Sequence, residues 1–224
     1  MQDKVLLSYV ALDIAFVVTG AIILIFALTT KAQLSQPPNL DNVARDLILD
    51  TCPVNAAIAN AVFVFATFLL TVPGIVMRKS RGWLKISGYL VVLCALFTMI
   101  IGLTLWFDTL KTRRNLSDIW DQQDVSVQSL LQTKFNCCGY ANSTSPPFVV
   151  DNTCPTTVIA SSKLGCVSLF SSFANGFLDV IFTGAFGIVG VDVLFVLATA
   201  ILLKDRKEQE RYRHIDEKNT MRGF

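Results

Sequence analysis

The 224-residue sequence is poor in charge, almost without histidine, and has no glycine-rich loop that could cradle a phosphate. Charged residues make up only 16% of it, against roughly 25% in soluble domains, so an ordinary water-facing surface is excluded. The single histidine, His214, lies in a charged stretch near the C-terminus. No Ser-His-Asp or Cys-His pair can therefore be assembled elsewhere, and no enzyme is expected. The cysteines lack the paired spacing of a zinc site, so neither metal nor cofactor is expected. A net charge of +2 says little by itself, and no nucleic-acid partner is expected.

What the chain does have is apolar length. Hydrophobic residues account for 53%, with a mean hydropathy of +0.54. They are bunched into runs of about 20, enough to cross a hydrocarbon core of roughly 30 Å. Residues 1–28 comprise a short start and a first run, Leu6 to Leu28, interrupted by Asp13. Lys4 before it would suit a signal peptide, but the run is too long for one and lacks a small-x-small cleavage site, so it reads as an uncleaved span. Residues 29–53 form a polar connector. The second run, 54–77, carries Pro73-Gly74, which should kink or fray its far end. A basic turn at 78–85 leads into the third run, 86–107. A long polar segment, 108–180, precedes the fourth run at 181–203, and a charged tail, 204–224, follows.

With both termini in the cytosol, twelve of the nineteen Lys and Arg fall inside, four of them in the short basic turn that carries most of the positive-inside bias. Four of the six cysteines, Cys137, Cys138, Cys154 and Cys166, then lie outside, where disulfides persist. Adjacent Cys137 and Cys138 cannot easily bond to each other, which leaves two pairings open. Gly139 permits a sharp turn just after them. Leu116, Ile119, Trp120, Val127, Leu130 and Leu131 recur at helical spacing, so two amphipathic stretches are expected between Leu116 and Phe135, with Ser117 and Asp124 or Ser126 as N-caps. Residues 139–165 are rich in Ser, Thr, Pro and Asn and read as loop. Phe170, Phe173 and Phe177 mark one face of a helix entering the fourth span. The fold expected is an all-α membrane protein: four transmembrane helices with a small disulfide-stapled helical extracellular subdomain between spans three and four.

Four spans, a short first outer loop and a large second one bearing Cys137-Cys138-Gly139 resemble a tetraspanin along the whole chain. The resemblance implies that Cys137 pairs with Cys166 and Cys138 with Cys154. Asp13 falls where that family usually has Asn, and the usual Pro-x-Ser-Cys is absent: Cys154 is preceded by Asn152-Thr153 and followed by Pro155. No cysteine lies in the cytosolic turn or tail, against the palmitoylation expected of the family. The compact chain and short second loop look most like the fungal tetraspanins, a group tied to polarised growth and to host penetration by infection cells (appressoria).

Asp13 and Asp192 are costly residues, at about 3 kcal/mol each on insertion scales. Counting rise per residue puts them roughly 12 and 16 Å deep, where they could face each other. No Lys or Arg lies within a span to neutralise them, so at least one is expected to be protonated. Either they line a cavity for a sterol or lipid headgroup, as the resemblance implies, or they hold the bundle by interhelical hydrogen bonds. Gly184, Gly187 and Gly190, with Gly20, read as sites of close helix approach. Phe148, Val149 and Val150 form an apolar patch in the outer loop, either a partner surface or a local core. Asn142-Ser143-Thr144 is an acceptor triplet for N-glycosylation; Asn115-Leu116-Ser117 also matches but lies near the membrane in a helical stretch. Tyr212 to Ile215 fits a tyrosine-x-x-bulky sorting pattern, with a plain solvated tail as the bland alternative.

The residues and the resemblance together imply a non-enzymatic scaffold in the plasma membrane, with endosomal or vacuolar membrane as other settings. Its partners would be other integral membrane proteins, further copies of itself, and a lipid or sterol. The alternative is a small channel or transporter using Asp13 and Asp192, although no broken-helix pair or repeat supports one. A claudin-like junction protein would need its cysteine pair between spans one and two, where only Cys52 lies.

Overall fold

Long apolar runs satisfy every backbone polar group internally only as helices, and helices are what they form. The computed structural model describes residues 2–76 and 81–222; most of the basic turn, Arg78 to Ser80, lies outside the described residues. Among the described residues eight helices follow in order: α1 (Gln2–Leu34), α2 (Val43–Asp50), α3 (Val54–Val76), α4 (Arg81–Leu110), α5 (Thr112–Asp121), α6 (Val125–Phe135), α7 (Thr157–Ser162) and α8 (Cys166–Arg222). Four of them, α1, α3, α4 and α8, are long and apolar enough to cross a membrane. The only β pairing among the described residues is two isolated bridges, Asn142 with Ser145 and Thr144 with Pro147.

Pro73 sits inside α3, which continues to Val76. Two tryptophans on α4, Trp83 and Trp106, are each partly exposed. Their 23-residue separation corresponds to about 35 Å of helix, close to the thickness of a hydrocarbon core flanked by interfacial aromatics.

The chain divides into two compact units. One comprises residues 1–27, 55–100 and 185–224. Its core is Tyr9, Phe16, Val64, Leu84, Val91, Cys94, Phe195 and Leu202. The rings of Tyr9 and Phe16 each lie 5.3 Å from that of Phe195, joining α1 to α8. Gly20 brings α1 onto α3, since a Cβ there would meet Val64 Cγ1 at 2.6 Å.

The other unit comprises residues 28–54 and 101–184. Leu116 and Trp120 of α5, Leu131 of α6, Phe170, Ala174 and Leu178 of α8, and Val43, Ala44 and Ile48 of α2 share one core with Cys137 and Cys166. The helical spacing of the apolar residues in α5, α6 and α8 is what brings them there. Lys134 of α6 donates to the carbonyls of Leu40 (3.1 Å) and Asp41 (2.6 Å), fastening the connector to α6.

Two expectations change. Ser117 lies inside α5, which starts at Thr112, and Asp124 takes the N-cap position of α6 without a side-chain cap bond. Residues 139–165 are not all loop: α7 forms within them, capped by Thr156, whose hydroxyl accepts from the Ile159 N–H. The helix that enters the fourth span at Phe170, Phe173 and Phe177 is α8, which runs unbroken from Cys166 through the span and into the charged tail.

Candidate functional site

The Cys-Cys-Gly triplet begins where α6 ends. Asn136 takes the left-handed conformation at φ 50°, and the N–H of Cys137 turns back to Gln132 O at 3.1 Å, an end that Asn tolerates better than most residues. Gly139 then adopts φ 71°, and a Cβ there would run into the carbonyl of Asn142. Reversal before and after the two cysteines sends their sulfurs apart. Cys137 bonds Cys166 and Cys138 bonds Cys154, with Cα separations of 5.1 and 5.9 Å. The triplet runs along residues 164–167 through three backbone bonds: Cys138 N to Leu164 O, Cys166 N to Gly139 O, and Val167 N to Tyr140 O. A Cβ on Gly165 would strike Ala141 O, so this close pass needs glycine.

Sequence reasoning missed what holds the middle of the loop. Gln132 is fully buried, and all four of its amide hydrogen bonds are made. Its Oε1 accepts from the N–H of Gly139 (3.1 Å) and of Val149 (3.0 Å). Its Nε2 donates to Val149 O and to Asp151 Oδ2, both at 2.8 Å. Asp151 Oδ2 also accepts from Ser129, while Oδ1 accepts from the N–H groups of Thr153 and Cys154. Lys163 donates to Asn136 Oδ1 and Thr153 O. The only available signal was Asp151 three residues before Cys154, an Asx-turn position.

The apolar patch divides. Phe148 packs against the buried group of Cys138, Cys154 and Ala160 and belongs to a local core. Val149 is bound through its backbone to Gln132 on both sides. Val150 is 72% exposed, and so are Val158 at 76% and Leu164 at 74%. Asn142 is exposed on the turn. In the tail, Tyr212 and Ile215 are exposed on α8.

The two aspartates are not bonded to each other. Both are buried, but Asp13 of α1 is met by Thr71 of α3, whose hydroxyl lies 3.0 and 2.9 Å from its two oxygens. Thr71 belongs to a polar row on α3 with Thr67, which touches Cys94 Sγ at 3.4 Å, and Asn60, which donates to Thr98. Asp192 of α8 has no hydrogen bond to either oxygen among the described residues. The close-approach reading of Gly184, Gly187 and Gly190 does not hold: a Cβ at any of them would meet nothing within 4 Å.

No group of three His, Cys, Asp or Glu residues is arranged to hold a metal among the described residues. Four helices of spanning length and a helical loop unit closed by two bridges between the third and fourth define an integral membrane protein of the four-span, stapled-loop class. A tetraspanin family model matches residues 6–205, nearly the whole chain, and the chain belongs to the tetraspanin family. Members of this family are in general non-enzymatic scaffolds that associate with other membrane proteins. No curated protein and no solved structure matches the chain.

Proposed function

We propose that this tetraspanin gathers other integral membrane proteins, further copies of itself included, into lateral assemblies of the plasma membrane. Both termini are cytosolic in this reading, and the large loop faces outward. One observation carries it: the loop unit spends its buried residues on its own core and two bridges, yet leaves Val150, Val158 and Leu164 bare. Exposed apolar residues on a rigid loop suit contact with partners. The chain's compactness extends the proposal, by likeness to fungal members, to polarised growth and host penetration. Exposure of Tyr212 and Ile215 suits a tail that can be read by sorting machinery.

A lipid or sterol cavity belongs to the same proposal, and it is supported by Asp192 rather than by Asp13. A buried carboxyl without a partner is expensive and suits a ligand hydroxyl. Asp13 is already engaged by Thr71, which weakens the channel alternative as well.

Affinity capture in mild detergent tests the scaffold. Replacing Val150, Val158 and Leu164 together by Ser should strip partners from a chain that still folds, and Cys138→Ala should lose both fold and partners. Full capture by the triple variant overturns the assignment of these three residues to partner contact. Unchanged sterol photo-crosslinking in Asp192→Asn overturns the cavity.

A further inference from the structure

Scaffolding leaves one singled-out triplet without a task. Asn142 is exposed on the turn that follows Gly139. Its Oδ1 accepts from both the N–H and the hydroxyl of Thr144, each at 2.9 Å. A backbone N–H can only donate, so the atom it meets is the side-chain oxygen, which fixes the orientation of the amide. Nδ2 faces no hydrogen-bond partner among the described residues. Two donors on the carbonyl oxygen draw charge toward it and make the nitrogen's proton easier to remove.

The turn is firmly held. Asn142 bridges to Ser145, Ala141 N donates to Ser145 O at 3.3 Å, and Phe148 N donates to Ser143 O at 3.3 Å. The backbones of Ala141 and Asn142 press on Gly165 and Gly139, so both ends of the disulfide framework support the turn from beneath. The second triplet provides a contrast within the same chain. Asn115 lies in the middle of α5, and its next neighbour Leu116 is buried in the core. Asn115 and Ser117 both lie within α5, so this triplet is helical backbone and not a turn.

We propose that Asn142, and not Asn115, is an N-glycosylation site. In the modifying step Nδ2 attacks the anomeric carbon of an oligosaccharide carried on a polyisoprenyl pyrophosphate. The C–N bond forms as the C–O bond to pyrophosphate breaks, one amide proton is lost, and the lipid pyrophosphate leaves. The site rests on the reading that the large loop faces outward.

The full chain expressed in eukaryotic cells should run as a single glycoform, with a mobility shift that a peptide-N-glycosidase removes. Asn142→Gln and Thr144→Ala should each abolish the shift, and Asn115→Gln should leave it intact. Asp124→Asn separates this site from the topology, because it completes an acceptor triplet with Val125 and Ser126 at an exposed position. If that variant gains a glycan while the unaltered chain carries none, the Asn142 site is wrong and the outward loop stands. If neither carries a glycan, the outward loop falls along with the site.

Discussion

Gln132 Nε2 donates to Asp151 Oδ2 at 2.8 Å, and that bond ties the last turn of α6 to the segment that delivers Cys154. The other oxygen of Asp151 caps the N–H groups of Thr153 and Cys154. Where the family usually has Pro-x-Ser-Cys, this chain sets Cys154 with a carboxylate. The disulfide Cys138–Cys154 is thus held non-covalently before its sulfurs are counted.

Gln132→Glu keeps the shape of the side chain and the acceptor that Gly139 and Val149 use. It loses both donated bonds and places a second carboxylate against Asp151. A buried group left unpaired costs about 1–3 kcal/mol, and more when charged, so the loop unit should lose roughly 3 kcal/mol at neutral pH. Protease resistance of the loop in the detergent-solubilised chain measures this. Lowering pH toward 4 should restore part of it as the new carboxyl takes a proton; a loss that stays constant with pH would show that shape, and not charge, is at fault.

How much of this was legible beforehand depended on the kind of signal. Apolar length alone marks a span, because a lipid-facing helix needs little else. The period of Leu116, Trp120 and Phe170 exposed the core of the loop unit, since core residues must share a face. Gln132 and Asp151 gave no such mark. Both types are common on surfaces, and the groups that Gln132 meets, the backbones of Gly139 and Val149 and the Asp151 carboxylate, lie 7 to 19 residues away and are assembled only by the folded turn. Helix α7 hid in a Ser- and Thr-rich stretch for the converse reason: those residues serve loops and caps alike, and Thr156 is a cap. Hydropathy ends the fourth span near Leu203 but is blind to α8 continuing, where contacts such as Gln209 to Asp205 and Arg213 to Glu217 support the helix.

The two aspartates should respond to removal with opposite signs. Thr71→Val leaves Asp13 buried without its donor, and Asp13→Leu leaves the Thr71 hydroxyl without its acceptor from α1. Interhelical hydrogen bonds in membranes are worth about 0.6 to 1.7 kcal/mol, so a double-mutant cycle should give a coupling near 1 kcal/mol. Asp192→Leu removes a carboxyl with no hydrogen-bond partner among the described residues, and should leave the spans as stable or stabler. Steric-trap or denaturant unfolding in bicelles would read both, and a large destabilisation by Asp192→Leu would show that the residue has a partner in the membrane.

The glycines divide in the same way. Gly184→Ala and Gly187→Ala enter open space and remove a helix-interior glycine, which should raise helix stability by up to about 1 kcal/mol each in the isolated chain. Gly139→Ala and Gly165→Ala meet backbone carbonyls, and Gly139 is also at positive φ, so the loop should fold in poor yield with mispaired sulfurs. Thermal unfolding for the first pair and non-reducing peptide mapping for the second check the split. A destabilised Gly184→Ala chain would mean that the open face is filled by something else in the membrane.

Cys52, one of two free cysteines, is half-buried against the core of the loop unit and donates to Ile48 O at 3.4 Å. Burial pushes its thiol up to about 11, and the Asp108 carboxylate adds to the rise. At pH 7 only about one molecule in ten thousand would carry the thiolate. Its greater intrinsic nucleophilicity offsets part of that deficit, so labelling at neutral pH should run roughly 30-fold slower than for an ordinary thiol. The sign with pH follows from the raised value: the labelling rate should climb steadily through pH 8 and 9, where an exposed thiol levels off, and flatten only near 11. Asp108→Asn removes the second cause and should bring the plateau to lower pH. Iodoacetamide rates from pH 7 to 10 in a Cys94→Ser background supply the measurement, and a plateau by pH 9 would mean that Cys52 is open to water and free to react.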